Sequence, residues 1–284
     1  MIAVVIPCYR VKAQILDVIA SIPGFVDKIY IVDDCCPESS GNWVLENAGD
    51  SRVDVIFHEQ NQGVGGAVKT GFKKALLDNC EIAVKLDGDG QMDPTLIAEL
   101  IKPIQEKRAD FVKGNRFFDV HTLLSMPRIR LFGNSVLSLI NKAVNGYWNI
   151  MDPTNGFLAI NRDALKRLPL DRIDNRYFFE SDLLFRLGII KAVVHDMPMD
   201  AKYADETSSL NITRVAFEFP PKYISRFCKR IFYNYFLRDF NVATIETLLG
   251  FPMMLFGSIF GLYHWYHSIV NLKVASTGTV MIAV

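Results

Sequence analysis

In the N-terminal third of the chain, four apolar runs of strand length each stop on a polar cluster. Residues 2–6 give way to Pro7-Cys8-Tyr9, 28–32 to Asp33-Asp34, 53–57 to Asn61-Gln62-Gly63, and 82–86 to Asp87-Gly88-Asp89. A fifth run covers 110–113, and helix-like patterns fill the intervals. This alternation predicts an α/β body around a mostly parallel sheet. Such sheets bind ligands beyond the carboxyl ends of their strands, so the four clusters are expected to converge on one site.

The fourth run carries the most chemistry. Ala83-Val84-Lys85-Leu86 leads into Asp87-Gly88-Asp89-Gly90-Gln91, alternating carboxylates and an amide among glycines. Oxygen ligands at the end of a buried strand suit a hard divalent cation, and glycines let a bulky anion approach the backbone. A nucleoside diphosphate fits that description; an acidic turn that only punctuates the strand is the alternative. Gly63-Val64-Gly65-Gly66 lacks the G-x-G-x-x-G spacing of a dinucleotide fold, and no G-K-[ST] phosphate loop is present.

Lysine plus arginine and aspartate plus glutamate balance at 31 each, so net charge implies no nucleic-acid partner. The five cysteines, Cys8, Cys35, Cys36, Cys80 and Cys228, show no C-x-x-C spacing and suggest neither a disulfide framework nor structural zinc. A reducing cytoplasm fits. The N-terminus lacks a basic region and a cleavage site and reads as a first buried strand.

Hydropathy changes near the C-terminus. Residues 247–271 carry no charged side chain, a longer stretch than the roughly 20 residues that cross a hydrocarbon core. A transmembrane helix is expected, with Pro252 accommodated inside it and Tyr263, Trp265 and Tyr266 near one interface; a long buried helix is the alternative. His264 and His267, one turn apart, are read as packing residues and not as a metal site. Residues 279–284 form an apolar run too short to span, read as a second membrane helix cut off. Upstream, Lys222, Arg226, Lys229, Arg230 and Arg238 interleave with Tyr223, Ile224, Phe227, Ile231, Phe232, Tyr235 and Phe236. That mixture predicts an interfacial amphipathic helix and places the N-terminal body in the cytoplasm; a helix packed on its own domain is the alternative. The expected divisions are a catalytic domain at 1–210, a juxtamembrane region at 211–243 and a membrane region at 244–284.

Taken together, V-I-P-C-Y at 5–9, I-V-D-D at 31–34, N-Q-G-V-G-G-A at 61–67, D-G-D-G-Q at 87–91 and K-G-N-R-F at 113–117 resemble a family 2 glycosyltransferase. With D-P-T-N-G-F at 152–157, F-E-S-D-L-L at 179–184 and Y-A-D-E-T-S-S-L at 203–210, the chain is similar to the polyprenyl-phosphate glycosyltransferases, the branch of dolichol-phosphate mannose synthase. The resemblance covers nearly the whole chain. It implies a GT-A fold, Rossmann-like with a mostly parallel sheet, followed by amphipathic juxtamembrane helices and a C-terminal transmembrane helix or helices. The implied activity transfers a sugar from a nucleotide-sugar donor to polyprenyl phosphate at a bacterial-type inner membrane, among membrane lipids; a homo-oligomer is left open.

By resemblance, Pro7, Tyr9 and Asp34 hold the nucleoside, with Asp33 the alternative to Asp34. Asp87 positions the donor, and Asp89 and Gln91 coordinate Mg²⁺ or Mn²⁺ with diphosphate oxygens. Arg116, Arg128 and Arg130 take the acceptor phosphate, a task suited to guanidinium geometry, with Asn134 a further candidate. Lys202 stands where mannose-synthase relatives often carry arginine; it supplies charge to the diphosphate without the bidentate fork. Val11 occupies the place of a nucleotide-contacting glutamate, which weakens the case for GDP.

A catalytic base is the least defined feature. Phosphate monoesters have a second pKa near 6, so the acceptor is already a nucleophile at neutral pH. Asp152, and then Glu180 and Asp182, are candidates for orienting the acceptor or the sugar, with helix N-terminal stabilisation the alternative for the last two. Direct in-line attack inverts the anomeric centre. The leading expectation is an inverting hexosyltransferase using UDP-glucose or a related UDP-hexose. Its rivals are a GDP-mannose-dependent synthase and a membrane-anchored sugar-nucleotide sensor without turnover. The Q-x-x-R-W motif of processive synthases is absent.

Overall fold

β1 (Ile2–Cys8) lies inside the sheet, flanked by parallel β2 (Lys28–Asp33) and parallel β4 (Ile82–Lys85). Strands covered on both faces read as near-continuous apolar runs, as these do apart from the charges at the ends of β2 and β4. The computed structural model describes residues 1–118, 128–199 and 212–284, the side chains of 128–130 and 212–216 excepted. Cα-contact density divides the chain into two units, Met1–Arg230 and Ile231–Val284.

In the first unit, α1 (Ile15–Ala20) follows β1, α2 (Ser40–Asn47) follows β2, and β3 (Val53–Phe57) leads to α3 (Val64–Leu77). After β4 come α4 (Ile97–Gln105) and β5 (Phe111–Asn115), then α5 (Arg128–Asn145), β6 (Leu158–Asn161) and α6 (Arg162–Arg167). α7 (Phe179–Ile189), β7 (Val194–Pro198) and most of α8 (Ile212–Phe232) complete it. The sheet order is β3-β2-β1-β4-β6-β5-β7, and β6 runs antiparallel between β4 and β5. Strand order reverses beside β1, so a crevice opens at the carboxyl ends of β1 and β4.

Alternation along β1 builds the two layers. Ala3 and Val5 enter a core with Tyr30, Phe72, Phe179 and Leu183, while Val4 and Ile6 enter one with Ile15, Ile31, Leu100 and Phe157. Each such fully buried aliphatic or aromatic side chain contributes about 1.5–3 kcal/mol.

The five expected strands are present, nearly at the expected bounds. β6 and β7 are additions: β6 is only Leu158–Asn161, and β7 buries Val194 in one layer and Met197 in the other while His195 and Pro198 stay exposed at the sheet edge. Three of the five residues of the basic stripe, all in α8, are also placed differently from the expectation of headgroup contact. Lys222 donates to Asp174 Oδ2 at 2.6 Å, Arg226 to Asp182 Oδ1 at 2.9 Å and Arg230 to the Ala143 carbonyl at 2.6 Å. Tyr223 is buried against Phe178. The reason is electrostatic: Asp182 is wholly buried, and an uncompensated buried carboxylate is costly, so Arg226 and Arg186 turn inward to it.

In the second unit, a π-helical turn (Tyr233–Arg238) precedes α9 (Val242–Asn271), which starts at a capping box between Asn241 and Thr244. α9 is the one helix among the described residues long and apolar enough to cross a membrane. Pro252 lies within it, and α10 (Thr277–Ala283) brings Ala283 against Gly257 and Gly261.

Candidate functional site

A cavity of about 760 Å³ opens at the carboxyl ends of β1 and β4. Its lining includes Pro7, Tyr9, Asp34, Asp87, Asp89, Arg116, Asn134 and Glu180. The chain therefore brings together eight of the residues singled out from sequence. Gln91, Asp152 and Asp182 are outside the lining; Lys202 lies outside the described residues, and Arg128 and Arg130 begin α5 with undescribed side chains.

Asp33 and Asp34 divide their work. Asp33 Oδ1 accepts from Cys36 N at 2.7 Å and Oδ2 from Gly41 N at 2.6 Å, closing the turn into α2 away from the cavity. Asp34 faces the cavity, accepts at Oδ1 from Gln62 N at 2.8 Å and at Oδ2 from Gly63 N at 2.7 Å, and pairs with His58 Nδ1 at 2.8 Å. A carboxylate has about four acceptor positions, so Asp34 retains capacity for one more donor. Gly63 sits at φ +91, which only glycine adopts readily, and this bend lets its N–H reach Asp34 just before α3 starts. His58 also meets Thr70 Oγ1 through Nε2 at 2.8 Å, a buried relay that a lone histidine in the sequence did not announce.

Below Asp87 lies a lysine that sequence reading passed over as part of β4. Lys85 is 1% exposed, donates to Asp87 Oδ1 at 2.8 Å and stands 3.4 Å from Glu180 Oε1. Burial works against its charge, but the Asp87 and Glu180 carboxylates outweigh it and hold the ammonium above the ordinary lysine value. The β6 register places Lys85 and Lys113 on either side of Leu158. Lys113 is fully buried, donates to the Asn155 carbonyl, and is pushed down to about 8 by burial despite Glu180 and Asp152 nearby. The sequence signal for Lys85 is a charge ending an otherwise apolar strand, and for Lys113 its place at the head of K-G-N-R-F.

Arg116, at the end of β5, lays its fork on Asp152, with Nε to Oδ2 at 2.7 Å and Nη2 to Oδ1 at 3.1 Å. Asp152 has no exposed surface, so it addresses the cavity through Arg116. Asp182, also without exposed surface, accepts from Asp174 N, Arg186 and Arg226 and ties α7 to α8. Glu180, one residue before Ser181, instead reaches the cavity wall. An apolar groove of about 260 Å³ shares Phe117 and Asn134 with the cavity and continues along Leu131, Leu139 and Met151.

The donor set fits a hard cation. Asp89 offers a carboxylate at the cavity and Gln91 a carboxamide two residues on, both oxygen donors. Among the described residues no group of three or more His, Cys, Asp or Glu could cage a metal, so a ligand's own oxygens would complete the coordination.

The family model described as "Glycosyl transferase family 2" matches residues 3–169. A UDP-N-acetylglucosamine–dolichyl-phosphate N-acetylglucosaminyltransferase from Methanococcus voltae is 32% identical over 72% of this chain and 87% of its own length. An undecaprenyl-phosphate mannosyltransferase from Micrococcus luteus is 28% identical over 60% of this chain and 70% of its own. The same fold occurs in glucosyl-3-phosphoglycerate synthase from Mycobacterium tuberculosis, solved with Mn²⁺, UDP and phosphoglyceric acid. That structure matches with a TM-score of 0.57 and 18% identity over 81% of this chain and 78% of that one.

Proposed function

The chain belongs to glycosyl transferase family 2, and we propose that it transfers a hexose, with inversion, from a UDP-sugar to the phosphate of a polyprenol at the cytoplasmic face of a membrane. The observation that carries this reading is one cavity with two ends. Carboxylates at the strand termini line it, and it continues past Arg116, Phe117 and Asn134 into an apolar groove. The named acceptors of the Methanococcus and Micrococcus relatives are polyprenyl-type phosphates, which supports the same class here. Residues 1–210 would carry the chemistry, 211–243 would form the juxtamembrane region and 244–284 the membrane region, anchored by α9.

At the donor end, Pro7 and Tyr9 flank the base, and Asp34 uses its remaining acceptor position for the imide N–H. Asp89 and Gln91 would hold Mg²⁺ or Mn²⁺, which when bound neutralises charge on the departing diphosphate. Asp87 and Glu180 accept from donor hydroxyls. At the acceptor end, Arg116, fixed by Asp152, takes the lipid phosphate beside Asn134; Arg128 and Arg130 are proposed for the same phosphate, and Lys202 for the diphosphate. The acceptor phosphate is dianionic at neutral pH and needs placement more than deprotonation. Its oxygen attacks the anomeric carbon as the bond to the diphosphate breaks, so an α-linked donor gives a β-linked product.

Val11 on the cavity wall and the named donor of the Methanococcus relative favour UDP. The Micrococcus relative's mannosyl transfer keeps GDP-mannose as the competing donor. The test incubates detergent-solubilised protein with undecaprenyl phosphate, Mg²⁺ or Mn²⁺ and a panel of UDP- and GDP-sugars, with Asp89→Ala as control. Mass spectrometry of one hexosyl-lipid, absent from the control, is the expected result. Metal-dependent nucleotide binding with no lipid product from any donor would favour a sensor instead.

A further inference from the structure

We propose that Lys85 is a positioning residue of the transfer reaction, a buried ammonium that fixes Asp87 and Glu180 as one hydrogen-bonding wall for hydroxyls of the donor. The proposal rests on the cavity being the donor site. β4 is buried throughout, and an isolated ammonium is strongly disfavoured in a low-dielectric interior, so a lysine there needs partners. Lys85 finds its pairing at the cavity floor. Asp87 arrives from the end of β4 and Glu180 from the first turn of α7, elements distant in sequence that only this ammonium joins by an ion pair among the described residues.

The geometry leaves each carboxylate half used. Lys85 takes Asp87 Oδ1 and Glu180 Oε1, so the second oxygen of each carboxylate takes no hydrogen bond from it, and both residues line the cavity. An ionised carboxylate only accepts hydrogen bonds, and sugar hydroxyls donate them. The ammonium also disfavours a divalent cation beside Asp87, which leaves metal binding to Asp89 and hydroxyl binding to Asp87. Gly156 backs the arrangement: a Cβ there would collide with both Asp87 Oδ2 and Lys85 Nζ, so the backbone packs directly on the pair.

The experiment compares Lys85→Met, Lys85→Arg, Glu180→Gln and the Lys85→Met/Glu180→Gln double variant as detergent-solubilised full chains. Thermal midpoints establish folding, calorimetry reads UDP-sugar against UDP affinity, and lipid-linked product gives kcat and KM. Lys85→Met is expected to lose on the order of 100-fold in kcat/KM, mostly in kcat, from misplaced carboxylates. Lys85→Arg should restore about tenfold, and the two single losses should not multiply in the double variant, because residues acting through one contact are non-additive. Independent, multiplying losses, or a folded Lys85→Met with unchanged kcat/KM, would overturn the proposal. Should Lys85→Met not fold, the Lys85→Arg/Glu180→Gln cycle decides by the same criterion. If wild type makes no lipid product, the reaction assignment fails separately. The wall is then judged by affinity alone: Lys85→Met should lose the preference for UDP-sugar over UDP, and keeping it would overturn the proposal.

Discussion

Arg116 donates from Nε and Nη2 to the two oxygens of Asp152, whose carboxylate has no exposed surface. The acid acts on the cavity only through the cation it aims. Replacing Asp152 with asparagine turns an amide N–H toward the guanidinium and removes the charge that fixes it. The expected outcome is a KM for polyprenyl phosphate raised about tenfold or more, with the donor KM little changed, since paired arms give arginine its geometric specificity. Arg116→Lys should fall at least as far, because an ammonium is a point charge without the fork. Steady-state kinetics varying each substrate in turn checks both, and an equal rise in the two KM values would count against an acceptor role.

Asp89 is expected to separate nucleotide binding from turnover. It lines the cavity beside Asp87 and accepts from Gln91 N at 3.1 Å, so the D-G-D-G-Q turn is folded around it. Asp89→Asn keeps that acceptor and removes the charge. Metal-dependent turnover should drop about 100-fold or more, within the range lost when a group stabilising the leaving charge is removed. Titration of UDP with and without Mn²⁺ should show that the metal no longer raises affinity; a retained metal effect would move the ligand role elsewhere.

The legible parts of this chain were those where local pattern and tertiary role coincide. β1, β2 and β4 are buried on both faces, so their apolar runs could be read directly, and the switch of strand order placed Pro7, Asp34 and Asp87 at one crevice. β7 was not legible, because His195 and Asp196 interrupt its pattern at a sheet edge. Carboxylate roles were the least readable. Asp152, Glu180 and Asp182 look alike in sequence, yet the first anchors Arg116, the second reaches the cavity and the third neutralises arginines from two helices. Partnerships across 36 or 44 residues carry no periodic signal. The same holds for Lys222 and Arg226, whose basic stripe reads as membrane-facing until their partners, the half-buried Asp174 and the buried Asp182, are located.

Gly156→Ala is predicted to damage the donor wall more than the fold. The added Cβ would strike Lys85 Nζ, Asp87 Oδ2 and the Met92 methyl together. Overpacking of this kind costs about 1–3 kcal/mol. The yielding atoms belong to the ion pair, so kcat/KM for the donor should fall by a larger factor than the stability loss alone explains. Paired measurements of thermal midpoint and donor kinetics decide it, and a stable variant with wild-type kinetics would refute the close packing.

Asp196 is predicted to lower stability at neutral pH. Its Oδ2 accepts from Met151 N at 2.9 Å, but its buried Oδ1 has no hydrogen-bond partner, and burial pushes its pKa up to about 6. The unfolded carboxyl titrates near 3.9, so between about pH 4 and 6 the folded state holds the extra proton. This group's contribution is therefore full below pH 4 and lost as pH rises through 6, a difference on the order of 3 kcal/mol in favour of the acid side. Asp196→Asn keeps an acceptor for Met151 and cannot ionise. It should raise the unfolding midpoint of the solubilised protein at pH 7.5 and leave it little changed at pH 4. Equal shifts at both pH values would trace the effect to packing and not to the buried charge.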